Sequence, residues 1–129
     1  MSWMNLLAVA GGGALGASAR YGINQMFVRQ GWYGLPAATF AVNVIGCFLA
    51  GLLLVWLDTR LHDAPWWRNL LMVGFLGGLT TFSALGVEGF QLLRANRVDL
   101  FAMTVLAHVS VGVLAVAAGW KLGQMTFVH

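Results

Sequence analysis

Hydrophobic positions in this 129-residue chain gather into four long runs, about Leu6–Val28, Leu35–Leu57, Asn69–Leu93 and Leu100–Gly123. At about 1.5 Å of rise per residue, each run can cross a hydrocarbon core of roughly 30 Å, so the pattern predicts four transmembrane helices. The polar connections are short. Arg29 to Gly34 carries turn-forming glycines, Asp58 to Trp67 carries Pro65, and Arg94 to Asp99 is the last. Links of this length make consecutive helices antiparallel neighbours. The third run is interrupted by Gly77-Gly78-Leu79-Thr80-Thr81-Phe82-Ser83, glycine and hydroxyl residues set inside apolar sequence. Unwound backbone in lipid strands N–H and C=O groups at a cost of roughly several kcal/mol each unless protein, water or an ion satisfies them. A helix broken at mid-membrane depth therefore marks an ion or substrate site. With no soluble segment, long linker or low-complexity tail in view, residues 1–129 read as a single four-helix channel domain.

Composition narrows the class. Apolar residues make up 60% of the chain and charged residues 9%, against about 25% charged in a soluble domain. Seventeen glycines suit helices that pack closely in lipid. The net charge of +3 comes from basic residues scattered singly, so there is no basic face for nucleic acid. One cysteine, Cys47, excludes an intramolecular disulfide and reads as a small packing residue. Ala17-Ser18-Ala19 resembles a signal cleavage site, but a basic leader is missing and apolar sequence continues, so this segment reads as a retained helix. Trp3, Trp32, Trp56, Trp66, Trp67 and Trp120 all fall near run ends, as an aromatic belt at the headgroups would have them.

Charge on the loops is balanced. One side carries Arg60, Arg68 and Lys121, the other Arg29, Arg94 and Arg97, and Arg20 tips the count by one. The positive-inside rule then has little to act on, which permits insertion both ways and an antiparallel dimer; a weak bias giving one orientation is the alternative. Four short helices also enclose little interior, so an ion path asks for a second subunit.

Several positions are anomalous for lipid. Thr39, Asn43, Gly46 and Ala50 share one face of the second helix, and Asn43 is its one amide. That amide either ties helices together or donates its NH2 to an anion. Beyond the break, Phe82, Leu85 and Glu88 follow at i, i+3 and i+6, with the hydroxyls of Thr81 and Ser83 close by. Phenyl rings have positive edges that can solvate a small anion, although aromatics at helical spacing also serve as core. Exposed carbonyls such as those of Gly77 and Thr80 suit a hard cation like Na+, while the resumed helix N-terminus offers amides to an anion. Arg20 and Glu88 lie deepest among the ionisable groups and are either functional or snorkel to the interface. His108 joins Thr104, Gly112, Ala115 and Gly119 on one small or polar face of the fourth helix, without a second histidine to make a haem or zinc site. Gly11 to Gly16 fits G-x-G-x-x-G but follows no strand, so it reads as helix packing. No acid, base and nucleophile converge, and the chain does not read as an enzyme.

Taken together, the Gly77–Ser83 motif with Glu88, the Thr39-x-x-x-Asn43 spacing and Gly16-x-x-x-Arg20 resemble the bacterial fluoride exporter channels called Fluc or CrcB, over essentially the whole chain. The resemblance implies an all-α, four-helix integral protein of the bacterial inner membrane, assembled as a dual-topology antiparallel homodimer with two fluoride pathways. By it, the carbonyls of Gly77 and Thr80 from both subunits hold a central structural Na+. Asn43 and Phe82 line the fluoride path, Thr39, Ser83 and Glu88 supply polar-track or vestibule groups, and Arg20 matches the first-helix arginine. The family usually has a second pore phenylalanine where Leu85 stands, a tyrosine aligned with Thr104 and a serine aligned with Gly112. The implied activity is passive fluoride export, with fluoride ion and lipid as partners. Two other readings remain open. The chain could be a non-conducting or partner-dependent subunit of a fluoride channel. It could also be a proton-coupled small multidrug transporter, which would need a carboxylate in the first helix where this chain has Arg20.

Overall fold

The computed structural model describes residues 1–33 and 36–129, and every regular element among them is helical. Helix α1 spans Trp3–Arg29 and α2 Ala37–Arg60. A composite third rod follows: α3 (Pro65–Arg68), a π-helical stretch (Asn69–Leu76), α4 (Gly77–Leu79), two extended residues, and α5 (Phe82–Arg94). Helix α6 spans Val98–Phe127. Local chemistry explains most of the ends. Pro65 occupies the first turn of α3, where its missing N–H costs nothing. Arg29, Arg60 and Arg94 lie in last turns, where a cation meets the negative end of the helix dipole. Gly31 at φ 82° follows α1, and Asn96 at φ 57° turns the chain from α5 into α6.

Four helical rods are therefore present, as the hydrophobic runs predict. Three are long and apolar enough to cross a membrane: Ala37–Arg60, Pro65–Arg94 and Val98–Phe127. Helix α1 has the length but not the apolarity, because its glycines, Asn5, Arg20 and Asn24 dilute the run. The expected start of the second span at Leu35 lies outside the described residues. The third rod begins at Pro65, four residues before the expected Asn69, and then widens into π geometry through Asn69–Leu76. Hydrophobic periodicity does not report a change of that kind in a uniformly apolar stretch.

The break also falls later than its glycines suggest. Gly77 and Gly78 are helical, and the chain leaves helical geometry at Thr80 (ψ 157°) and Thr81 (φ −152°, ψ 120°). The glycines answer to packing instead. A Cβ on Gly78 would press against the Gly13 carbonyl oxygen at 2.5 Å, and one on Gly16 would run into the Phe75 carbonyl oxygen. Backbone thus meets backbone where α1 crosses the third rod, an approach only glycine permits. The second tight pair is α2 with α6, where Gly51 faces the Val116 carbonyl and Gly119 the Phe48 carbonyl. Val42, Leu76 and Leu79 form the buried centre between the two pairs.

Replacing Gly119 with alanine should therefore force α2 and α6 apart and destabilise the protein by about 1–3 kcal/mol, the usual cost of overpacking. Gly11→Ala, with nothing within 4 Å of its added Cβ, should cost nothing measurable. Thermal unfolding of the two variants in detergent checks the contrast.

Candidate functional site

Interrupting a helix releases a defined set of backbone groups, and several of them can be followed here. Thr80 N–H still donates to the Leu76 carbonyl at 2.9 Å, joined there by its own hydroxyl at 2.8 Å. Thr81 N–H, which would otherwise close on Gly77, donates to Asn43 Oδ1 at 2.8 Å, and Asn43 Nδ2 donates back to the Thr81 carbonyl at 3.1 Å. One side-chain amide on α2 thus mimics the peptide group that the break took away. Thr81 Oγ1 accepts from Ala84 N–H at 3.1 Å and so caps α5. Arg20 Nε donates to the Gly78 carbonyl at 3.1 Å from the α1 side.

Among the described residues, the Gly77 and Thr80 carbonyls, both on one groove, gain no such replacement. The Gly77 oxygen loses its helical donor because Thr81 N–H has gone to Asn43, and the Thr80 oxygen loses its own because Ala84 N–H has gone to Thr81 Oγ1. Both residues line one open groove of about 460 Å³, which Asn43, Gly46, Phe82 and Leu85 also border. Gly46 is needed there, since a Cβ would collide with the Thr80 methyl group. Phe82 stands 83% exposed at the rim of the groove, whereas Leu85 is half-buried in it. Asn43 spends one of its two amide hydrogens on Thr81, which leaves the other available. Carbonyl oxygens, a spare amide N–H and phenyl edges give the groove the means to meet both a small cation and a small anion.

The remaining sequence-selected residues separate. Ser83 is exposed, with its hydroxyl 3.1 Å from Thr81 Oγ1. Thr39 is buried and donates to Glu88 Oε1, and this pair borders a second pocket of about 340 Å³ with Asn24, Trp32 and Gln91. Arg20 borders neither pocket but braces the rear of the broken helix, so its observed contact is to backbone rather than to solvent. Asn43 therefore does act as interhelical glue while remaining on the groove. Of the expected face Thr39, Asn43, Gly46 and Ala50 on α2, the first three meet the third rod and Ala50 borders the main groove. Asn24 and Gln91 went unnoticed in the sequence, because polar residues near span ends look like ordinary interface anchors. Cys47 borders the main groove as well as packing beside Gly112, and nothing in its apolar neighbourhood in sequence announces that.

Comparison with known proteins gives the family. The family profile described as "CrcB-like protein, Camphor Resistance (CrcB)" matches residues 7–120. This chain belongs to the CrcB family. Among CrcB relatives, a protein of Xylella fastidiosa (strain 9a5c) named "Fluoride-specific ion channel FluC" is 43% identical over 122 residues, covering 94% of this chain and 85% of the relative. Proteins with the same name from Xanthomonas euvesicatoria and Hahella chejuensis are each 39% identical, over 92% and 98% of their own lengths. The CrcB family is one of ion channels and not of enzymes.

The Asn43–Thr81 pairing makes a local prediction. Asn43→Ala leaves a backbone N–H and C=O without partners at a cost of about 1–3 kcal/mol each. The Thr81 amide should then exchange hydrogen with solvent at least about tenfold faster, since 1.4 kcal/mol is a factor of ten in opening. Amide exchange measured in detergent micelles checks it; unchanged protection at Thr81 would contradict the pairing.

Proposed function

We propose that this chain is a fluoride-selective channel that lets fluoride leave the cell passively across the inner membrane. In this reading two copies lie antiparallel, with a pathway on each side and a structural Na+ between them. The observation that carries it is the groove at the break, where Asn43 holds Thr81 open and two carbonyls lack helical donors beside a phenyl ring. The names of the relatives give the ion.

The single chain leaves this surface unfinished, which supports a second copy. Lipid cannot satisfy the Gly77 and Thr80 carbonyls, and two oxygens fall short of the shell a hard cation takes. A second copy in the opposite sense would double the oxygen count and cover the exposed Phe82 ring. Balanced basic residues at the two ends agree with insertion in both orientations. Gly77 and Thr80 would hold the Na+, which supplies fixed positive charge near the centre of the membrane. Fluoride is small and strongly hydrated, so its path must replace water without trapping it. Asn43 offers an N–H, Phe82 a positive ring edge, and Ser83 and Thr39 hydroxyls. Leu85 contributes wall but little polarity. Glu88 and Thr39 stand at the mouth of the polar pocket, and Arg20 fixes the Gly78 peptide rather than meeting the ion.

Leu85 favours a second reading. Its branched alkyl side chain gives the groove one aromatic edge per copy, so the chain could require a homologous partner to supply another. Reconstitution distinguishes the two.

Proteoliposomes loaded with fluoride and containing this chain alone should release it, monitored by a fluoride electrode, while chloride release stays at least about tenfold lower. Asn43→Asp, which keeps the acceptor but loses the donor and adds a charge, should cut release by about tenfold or more, the equivalent of one charged hydrogen bond. Leu85→Phe should raise it. Equal chloride release would overturn selectivity; silence rescued by a homologous chain would establish the partner-dependent reading. For orientation, a reporter cysteine at Asn96 in a Cys47→Ala background should be labelled from both sides of the membrane, and labelling from one side alone would refute the antiparallel pair.

A further inference from the structure

Away from the break, the pocket of about 340 Å³ between α1, α2 and α5 holds a carboxylate that is only half engaged. Thr39 donates to Glu88 Oε1, while Glu88 Oε2 is buried without a hydrogen-bond partner among the described residues. None of the ion pairs among those residues includes Glu88. On the flanking helices Arg20 donates to the Gly78 carbonyl, and Arg94 lies over the Phe90 ring, so both are engaged elsewhere. A buried carboxylate oxygen left in this state is costly until a donor or a positive charge reaches it.

The rest of the lining decides what kind of donor fits. Gln91 follows Glu88 at i+3 on α5, and Asn24 borders the same pocket from α1. Their amides can each present an oxygen, so three side chains bring acceptors to one cavity. Phe27 and Trp32 line it too, meeting edge to face with centroids 6.2 Å apart at 77°. In such a pair the ring that offers its edge keeps its faces free of the other, and an aromatic face attracts a cation. A bare metal ion would leave most of this space unfilled, since even a water molecule takes only about 30 Å³. An anion would meet the carboxylate and be repelled.

We propose that this pocket binds a primary ammonium, its nitrogen against Glu88 Oε2 and its carbon chain against Phe27 and Trp32. Three N–H groups on one cationic nitrogen match the three acceptors. The ammonium can come from a free amine or from the headgroup of an ethanolamine phospholipid, and Trp32 follows the end of α1, where headgroups lie. Binding here does not require fluoride to pass, so it stands or falls apart from the conduction reading.

The test follows the side-chain amide resonances of Asn24 and Gln91 and the indole N–H of Trp32, with the protein in lipid-free micelles. Replacing tetramethylammonium by ethanolammonium at constant ionic strength should shift all three saturably, because the two cations share a charge but only the second carries N–H groups. Glu88→Gln, which keeps an oxygen but loses the charge, should weaken this binding about tenfold or more, the share of a charged hydrogen bond. Gln91 is exposed on α5, so Gln91→Ala spares the fold and should weaken binding about threefold or more. In bilayers containing phosphatidylethanolamine, a response to added ethanolammonium that disappears supports the lipid headgroup as occupant, and one that persists supports the free amine. Absence of a saturable shift in micelles, undiminished binding in both variants, or the same shift when Na+ replaces tetramethylammonium overturns the proposal.

Discussion

A break in a membrane helix is tolerable only if the peptide groups it frees find partners, and here that requirement falls chiefly on one amide. Asn43 both accepts from and donates to Thr81. A made hydrogen bond contributes about 1 kcal/mol net, but a buried group left unmade costs about 1–3 kcal/mol. The difference between a satisfied and an orphaned Thr81 is therefore comparable to a large share of a small domain's stability. Position follows from this. Because Asn43 belongs to α2, the break is registered against α2, and with it the start of α5. Phe82, Leu85 and Glu88 then fall in succession along that helix, two on the main groove and one at the polar pocket.

The glycines do different work. Gly12, Gly16 and Gly78 let α1 and the third rod approach to backbone contact, and Gly51 and Gly119 do the same for α2 and α6. In lipid such packing replaces the hydrophobic drive that would gather helices in water. The arrangement has a visible cost: α1 loses apolarity to its glycines and is the one rod that does not reach the hydropathy a free-standing span needs. Its place in the protein depends on the third rod more than on lipid. Arg20 fits the same logic, its charge partly balanced by the Gly78 carbonyl instead of by water.

Much of this was written in the residues. Four rods, short turns, the Thr39–Asn43–Gly46–Ala50 face and a break in the third run all follow from hydropathy and spacing. What escaped the sequence had no periodic signature. After Asn69 the π-helical stretch Asn69–Leu76 has no polar side chain, so a change in residues per turn leaves no trace in the pattern. Within the expected break Gly77–Ser83 the chain unwinds at Thr80-Thr81, because the small size of Gly78 is claimed by packing against α1 while its conformational freedom goes unused. Asn24 and Gln91 could be placed at the polar pocket only once α1 and α5 were set side by side.

Surfaces of membrane proteins are apolar, so a bare Phe82 or Val73 is no anomaly by itself. The carbonyls of Gly77 and Thr80 are different, because hydrocarbon offers them nothing and none of the described residues replaces their lost donors. They need water, a cation or another polar surface at a depth where bulk water is scarce. In the proposed antiparallel pair, a hydrated ion path would answer that need from one side, and a cation shared with the second copy would answer it from the other. In that proposal the same peptide groups that make the break expensive in a lone chain would give two chains a reason to associate, which apolar contact alone would not provide in a solvent as apolar as the protein.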